Sequence, residues 1–183
     1  MLYMANTREQ YLTAFNSCKD IFLKKMHDYG TAWRHLRPKS LTDQILIKAQ
    51  RIKSIEEKGT QKINESVFDE LTGIINYGVM ALIQLDLIQD PRIELPAQEV
   101  ENRYHEKLQL ALNLMENKNH DYGEAWRDMR ISSITDLILM KVYRIKQIED
   151  HQGQTLISEG IDANYLDIIN YAIFSKIKTL NTL

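Results

Sequence analysis

Cysteine is nearly absent: Cys18 is the only one in 183 residues, which excludes a disulfide framework and a thiolate metal cluster. Lying in a helical pattern beside apolar neighbours, it reads as a small core side chain. Proline is scarce too, and two of the three, Pro91 and Pro96, fall in one stretch, QDPRIELPA. Neither continues a helix, so that stretch reads as a linker. No apolar run approaches membrane-spanning length, and the opening MLYMANTREQ lacks a basic region followed by an apolar one. A soluble, cytoplasmic chain with no membrane partner is the expectation. Nor does charge of one sign accumulate. The net charge is -2, with 13 Lys/Arg against 11 Asp/Glu in residues 1–92 and 10 against 14 in residues 93–183. Without a basic stripe, duplex nucleic acid is not an expected partner. No segment alternates with period two, which leaves an all-α fold.

What is present is a duplication. HDYGTAWR at 27–34 returns as HDYGEAWR at 120–127, and residues 27–57 share 19 identities in 31 positions with residues 120–150. After a one-residue slip the likeness resumes, IINYG at 74–78 matching IINYA at 168–172. Two helical repeats are expected, residues 1–90 and 98–183, joined by a linker at 91–97 and packed as one body. Each reads as three helices. The first helices are expected from about Thr7 to Met26 and from Ala97 to Asn119, the third from Val67 to Leu87 and from Ala163 to Leu180. Second helices are expected to start at SLTD and SITD, with Ser40 and Ser133 as N-caps and Asp43 and Asp136 closing capping boxes. An isolated three-helix unit buries little surface, so the apolar faces should meet about a pseudo-two-fold axis, as in a homodimer fused into one chain.

Charges inside apolar stripes are the sharper signal. Lys48 falls among Leu41, Ile45, Ile52 and Ile55, and Lys141 among Ile134, Ile138, Ile145 and Ile148, with Arg51 and Arg144 at the stripe borders. Either these lysines snorkel to water, or they meet a carboxylate or an anionic ligand, since an unpaired buried ammonium is too costly to keep. In the third helix Glu65, Asp69 and Asn76 share one face, and such oxygens suit Mg²⁺; the other reading is a solvated helix edge. The second repeat keeps Glu159 and Asn170, but has Ala163 where the first has Asp69, and Asp167 where the first has Gly73. The acids belong either to one composite site or to separate, partly lost ones.

Gly30 and Gly123 suit the residue that ends a helix, which gathers the octapeptide's polar side chains in a turn. His27, Asp28, His120 and Asp121 could move protons or bind metal. Trp33 and Trp126 offer faces for a base, and Arg34 and Arg127 forks for phosphate. Tyr29 and Tyr122 stand beside them.

With KMHDYG, KAQR and ESVFDELTGIINY in the first repeat, and KNHDYG, KVYR and EGIDANYLDIINY in the second, the chain resembles the nucleotide-modification-associated domain family. Its pattern, with aspartates at the positions of Gly73 and Ala163, covers nearly the whole chain as a tandem pair. The resemblance implies an all-helical protein of nucleotide metabolism. More loosely, the layout is similar to MazG-like all-α nucleotide pyrophosphohydrolases. The leading expectation is a nucleotide-binding protein acting as a Mg²⁺-dependent phosphohydrolase. Glu65, Asp69, Glu159 and Asp167 would hold metal, while Lys48, Arg51, Lys141 and Arg144 would neutralise phosphates. Tyr29, Trp33, Arg34, Asn76, Tyr122, Trp126, Arg127 and Asn170 would line the ligand. The alternatives are a non-catalytic nucleotide or modified-base binder and a structural helical protein; homo-oligomerisation stays open.

Overall fold

The computed structural model describes residues 6–62 and 65–181, and among them every regular element is helical. The helices are α1 (Thr7–Tyr29), α2 (Pro38–Lys58), α3 (Val67–Asp86), α4 (Ala97–Tyr122), α5 (Ile131–Asp150) and α6 (Ile161–Leu180), with short 3₁₀ turns at Ala32–His35 and Ala125–Arg127. α1 and α4 stop at Gly30 (φ 62°, ψ -142°) and Gly123 (φ 63°, ψ -159°). Side chains other than glycine's are strained in that region, so each HDYG motif turns the chain sharply. α3 starts in a capping box between Ser66 and Asp69.

The starts of α2 and α5 correct the sequence reading. These helices begin at Pro38 and Ile131, with Arg37 and Arg130 as N-caps. Proline suits a first helical position, because its missing N–H would have no partner there. Ser40, Ser133, Asp43 and Asp136 therefore lie inside the helices. Both aspartates reach the other repeat: Lys53 Nζ is 3.1 Å from Asp136, and Lys146 Nζ is 2.5 Å from Asp43. Two hydroxyls cross in the same way, Thr42 donating to Glu149 and Thr135 to Glu56, each at 2.8 Å. Each contact has its counterpart with the repeats exchanged, which is the expected pseudo-two-fold relation.

One apolar cluster runs through both halves. α3 packs on α6 and α2 on α5, while α1 and α4 lie against both third helices. Gly78 permits close approach of α3 and α6, since a Cβ there would stand 2.8 Å from Ile169. Buried tyrosines tie the halves crosswise. Tyr11 of α1 donates to Asn170 Oδ1 (2.6 Å), and Tyr104 of α4 donates to Asn76 Oδ1 (2.8 Å). Each asparagine amide then donates within its own repeat, Asn76 to the Cys18 carbonyl and Asn170 to the Ala111 carbonyl.

Two measurements check this arrangement. Tyr104→Phe strands a buried Asn76 oxygen and should cost about 1–3 kcal/mol in urea unfolding. Burial lifts the Glu56 and Glu149 carboxyls above their ordinary range. The folded state therefore holds their protons more tightly, and stability falls as pH rises from the unfolded to the folded pKa. Glu56→Gln with Glu149→Gln should raise the melting temperature at pH 7 and leave it unchanged below the ordinary carboxylate pKa. A gain of equal size at both pH values would contradict the assignment.

Candidate functional site

Each repeat gathers its polar side chains at the end of its first helix, between the second and third helices. In the second repeat the acid is Asp167 on α6. Lys118 of α4 stands 2.6 Å from one of its oxygens, and Lys141 of α5 stands 2.7 Å from the other. Asp167 and Lys141 are buried, so the pairing offsets a desolvation cost that either charge alone could not sustain. The adjoining hollow measures about 180 Å³.

The first repeat is built differently where Asp167 would stand. Gly73 replaces the aspartate, and Lys48 has moved into the space: a Cβ on Gly73 would stand 2.6 Å from Lys48 Cε. Its ammonium instead meets Glu70 of α3 at 3.3 Å, and Arg51 holds the other Glu70 oxygen at 2.6 Å. Glu70 is only 2% exposed, and this doubly paired carboxylate carries the local charge balance. Lys25, the counterpart of Lys118, is exposed and has no ion pair among the described residues. The result is an open hollow of about 360 Å³, with Lys25, Lys48, Glu65 and Asp69 on its polar side and Tyr29, Tyr77 and Met80 on its apolar side.

The other expected site residues divide between the hollows and the scaffold. Tyr29 and Trp33 line the first hollow, and Tyr122 and Trp126 the second. Both indoles are buried, and their N–H groups have no partner among the described residues. Trp126 is stacked on Phe174 at 4.4 Å, with the Arg127 guanidinium 4.3 Å from its ring, so its ring is already engaged by neighbours within the protein. Arg34 does not face the hollow: it donates to the Arg92 and Asp90 carbonyls of the linker and to Gln84. Arg127 likewise engages Glu124, Thr7 and Gln10, anchoring the start of α1. Asn76 and Asn170 border the hollows, but their amides serve the crosswise bonds described above. His27, Asp28, His120 and Asp121 lie outside the lining of both hollows. They are highly exposed, and among the described residues their ion pairs are His27 with Asp28 and His120 with Asp121.

The expected metal ligands do not form one composite site. Glu65 and Asp69 line the first hollow, Asp167 the second, and Glu159 a third that also contains the exposed Arg144. Among the described residues no three His, Cys, Asp or Glu side chains converge to hold an ion. Hydrogen bonds from the Ser66 hydroxyl and backbone depress the Asp69 pKa, so that oxygen is committed to the helix cap. As they stand, the residues do not fit a metal centre.

This polar arrangement, built twice around a lysine before DYG, a Lys–x–x–Arg helix and an Asn-Tyr helix, agrees with the comparison to known families. A model for nucleotide modification associated domain 1 matches residues 25–85 and again 118–179, about two thirds of the chain. The chain belongs to that family, as a tandem pair. No curated protein and no solved structure matches it.

In this nucleotide modification associated pair, Glu70 and Lys176 escaped the sequence reading. Glu70 sits beside Leu71 in the first turn of α3, where an acid is ordinarily explained by the helix dipole. Lys176 of α6 is 1% exposed. It donates to Thr72 at 2.6 Å and lies 3.6 Å from the Phe68 ring centre, with no carboxylate in ion-pair range among the described residues. Its counterpart, Leu82, was the available signal. Burial lowers its pKa, so below that depressed folded pKa the fold bears the full cost of a buried ammonium. Lys176→Met should therefore raise the melting temperature at pH 7, with the gain shrinking as pH climbs from the depressed folded pKa to the ordinary lysine pKa. Destabilisation at pH 7 would show that the contacts with Thr72 and Phe68 outweigh burial.

Proposed function

We propose that the hollow of the first repeat binds a nucleotide or modified nucleotide. The observation that carries this reading is Lys25, which has no ion pair among the described residues, together with Lys48 and an apolar wall of Tyr29, Tyr77 and Met80 in one open hollow of about 360 Å³. That combination suits a ligand with an anionic end and a flat apolar end. Pockets of this size accept small molecules and fix them with a few polar groups. Lys48 and Lys25 would neutralise phosphate, and the tyrosines would border the base. Family membership supports the nucleotide context.

A panel of nucleoside mono-, di- and triphosphates, with common and modified bases, tests the reading by thermal shift and calorimetry. At least one should raise the melting temperature, since a ligand at 100 times its Kd adds about 2.7 kcal/mol of stability. Lys25→Gln should abolish the shift, and no shift with any nucleotide would refute the reading.

A second reading, Mg²⁺-assisted phosphohydrolysis, draws on Glu65 and Glu70, which border the same hollow but form no ready ion site as they stand. It requires Glu70 to exchange Lys48 for the ion. Phosphate or pyrophosphate release that depends on Mg²⁺ and is lost in Glu70→Gln would support it. Binding without turnover would leave a non-catalytic module.

A further inference from the structure

The two repeats answer the same electrostatic problem in different ways, and the difference assigns a place to the ligand's charge. Two lysines meet at one acid in the second repeat, and their counterparts line one hollow in the first. In the second repeat the Asp167 carboxylate bridges them, one oxygen to Lys118 at 2.6 Å and the other to Lys141 at 2.7 Å. In the first repeat Lys25 and Lys48 remain while the bridging acid is gone. Gly73 contributes no side chain, and the flexible Lys48 stem alone occupies the opening, its Nζ 3.1 Å from where a Cβ would be.

We infer that an oxyanion, the phosphate of the bound nucleotide, takes the position over Gly73 between Lys25 and Lys48. In the second repeat the Asp167 carboxylate holds that position as a built-in occupant. This rests on reading the first hollow as the ligand site. A phosphate oxygen accepts the same charge-assisted bonds from ammonium groups as a carboxylate does, and glycine lets it approach the helix backbone closely. Glu70 supplies the resting counter-charge. When Lys48 turns to the phosphate, Glu70 keeps its 2.6 Å bond to Arg51, so no buried charge is stranded. The second hollow has half the volume of the first, about 180 against 360 Å³, and its own acid shuts it to the same ligand.

Calorimetric titration of the full chain with inorganic pyrophosphate, at low ionic strength, tests the assignment. The wild type should bind one equivalent. Gly73→Asp, which rebuilds the bridge with Lys48 displaced, should weaken binding at least about tenfold, by supplying an internal competitor for the same charge-assisted bonds. Asp167→Gly should bind a second equivalent and gain more thermal stabilisation from pyrophosphate than the wild type does. Circular dichroism establishes that each variant is folded. Should Gly73→Asp fail to fold, Lys25→Gln, a change at an exposed position, must show the same weakening. Equal binding by wild type and Gly73→Asp, no binding by wild type, or no second equivalent in folded Asp167→Gly overturns the inference. The two proposals fail separately. Nucleotide binding that survives Gly73→Asp refutes this one alone, whereas pyrophosphate binding that depends on Gly73 without any nucleotide binding refutes the nucleotide reading alone.

Discussion

Each repeat carries a buried hydrogen-bonding group that only the other repeat can satisfy. The Tyr11 and Tyr104 hydroxyls are out of reach of water, and each finds its acceptor on the third helix of the opposite half. An unmade bond there would cost more than a made one contributes. The two halves must therefore dock in one register, with α3 against α6 and the first helices laid across them. The contacts of Lys53, Lys146, Thr42 and Thr135 repeat that register along α2 and α5. This docking also aligns each third helix with its own second helix and so sets up both lysine clusters.

Duplication then allowed the two clusters to diverge while the scaffold stayed common. Where the second repeat has Asp167 between its two lysines, the first has Gly73, with Glu70 pairing Lys48 but not Lys25. The octapeptide, the most obvious repeated feature, does mostly scaffold work. Its glycine turns the chain, its tryptophan fills the core, and its arginine fastens the segment that leads into the other repeat's first helix. Arg34 grips the linker before α4 and Arg127 the start of α1, so the same side chain performs the same task at two chemically different targets.

Much of this was legible before any coordinates. The helix count, the duplication and the misplaced lysines follow from periodicity, because a charge in an apolar stripe has few affordable explanations. The metal ligands were a weaker inference. Glu65 and Asp69 share a face by spacing, yet Asp69 is occupied by Ser66 in a cap, a local interaction that the same spacing also describes. The capping boxes expected at Ser40 and Ser133 failed for the reverse reason: both helices start just upstream, at Pro38 and Ile131, which leaves Asp43 and Asp136 inside them to pair across the axis.

Periodicity along one chain establishes which residues face inward, because that depends only on the turn of the helix and the chemistry of each side chain. It is silent on which inward charges meet, since the partner of a buried group lies on another helix at a distance the local pattern does not encode. Only the packed structure could make Glu70 the counter-ion of Lys48 and Arg51, set Trp126 against Phe174 and Arg127, and leave Lys25 beside an open hollow. Burial turns these pairings into strong constraints: once water is excluded, each charge takes the nearest partner the docked helices provide.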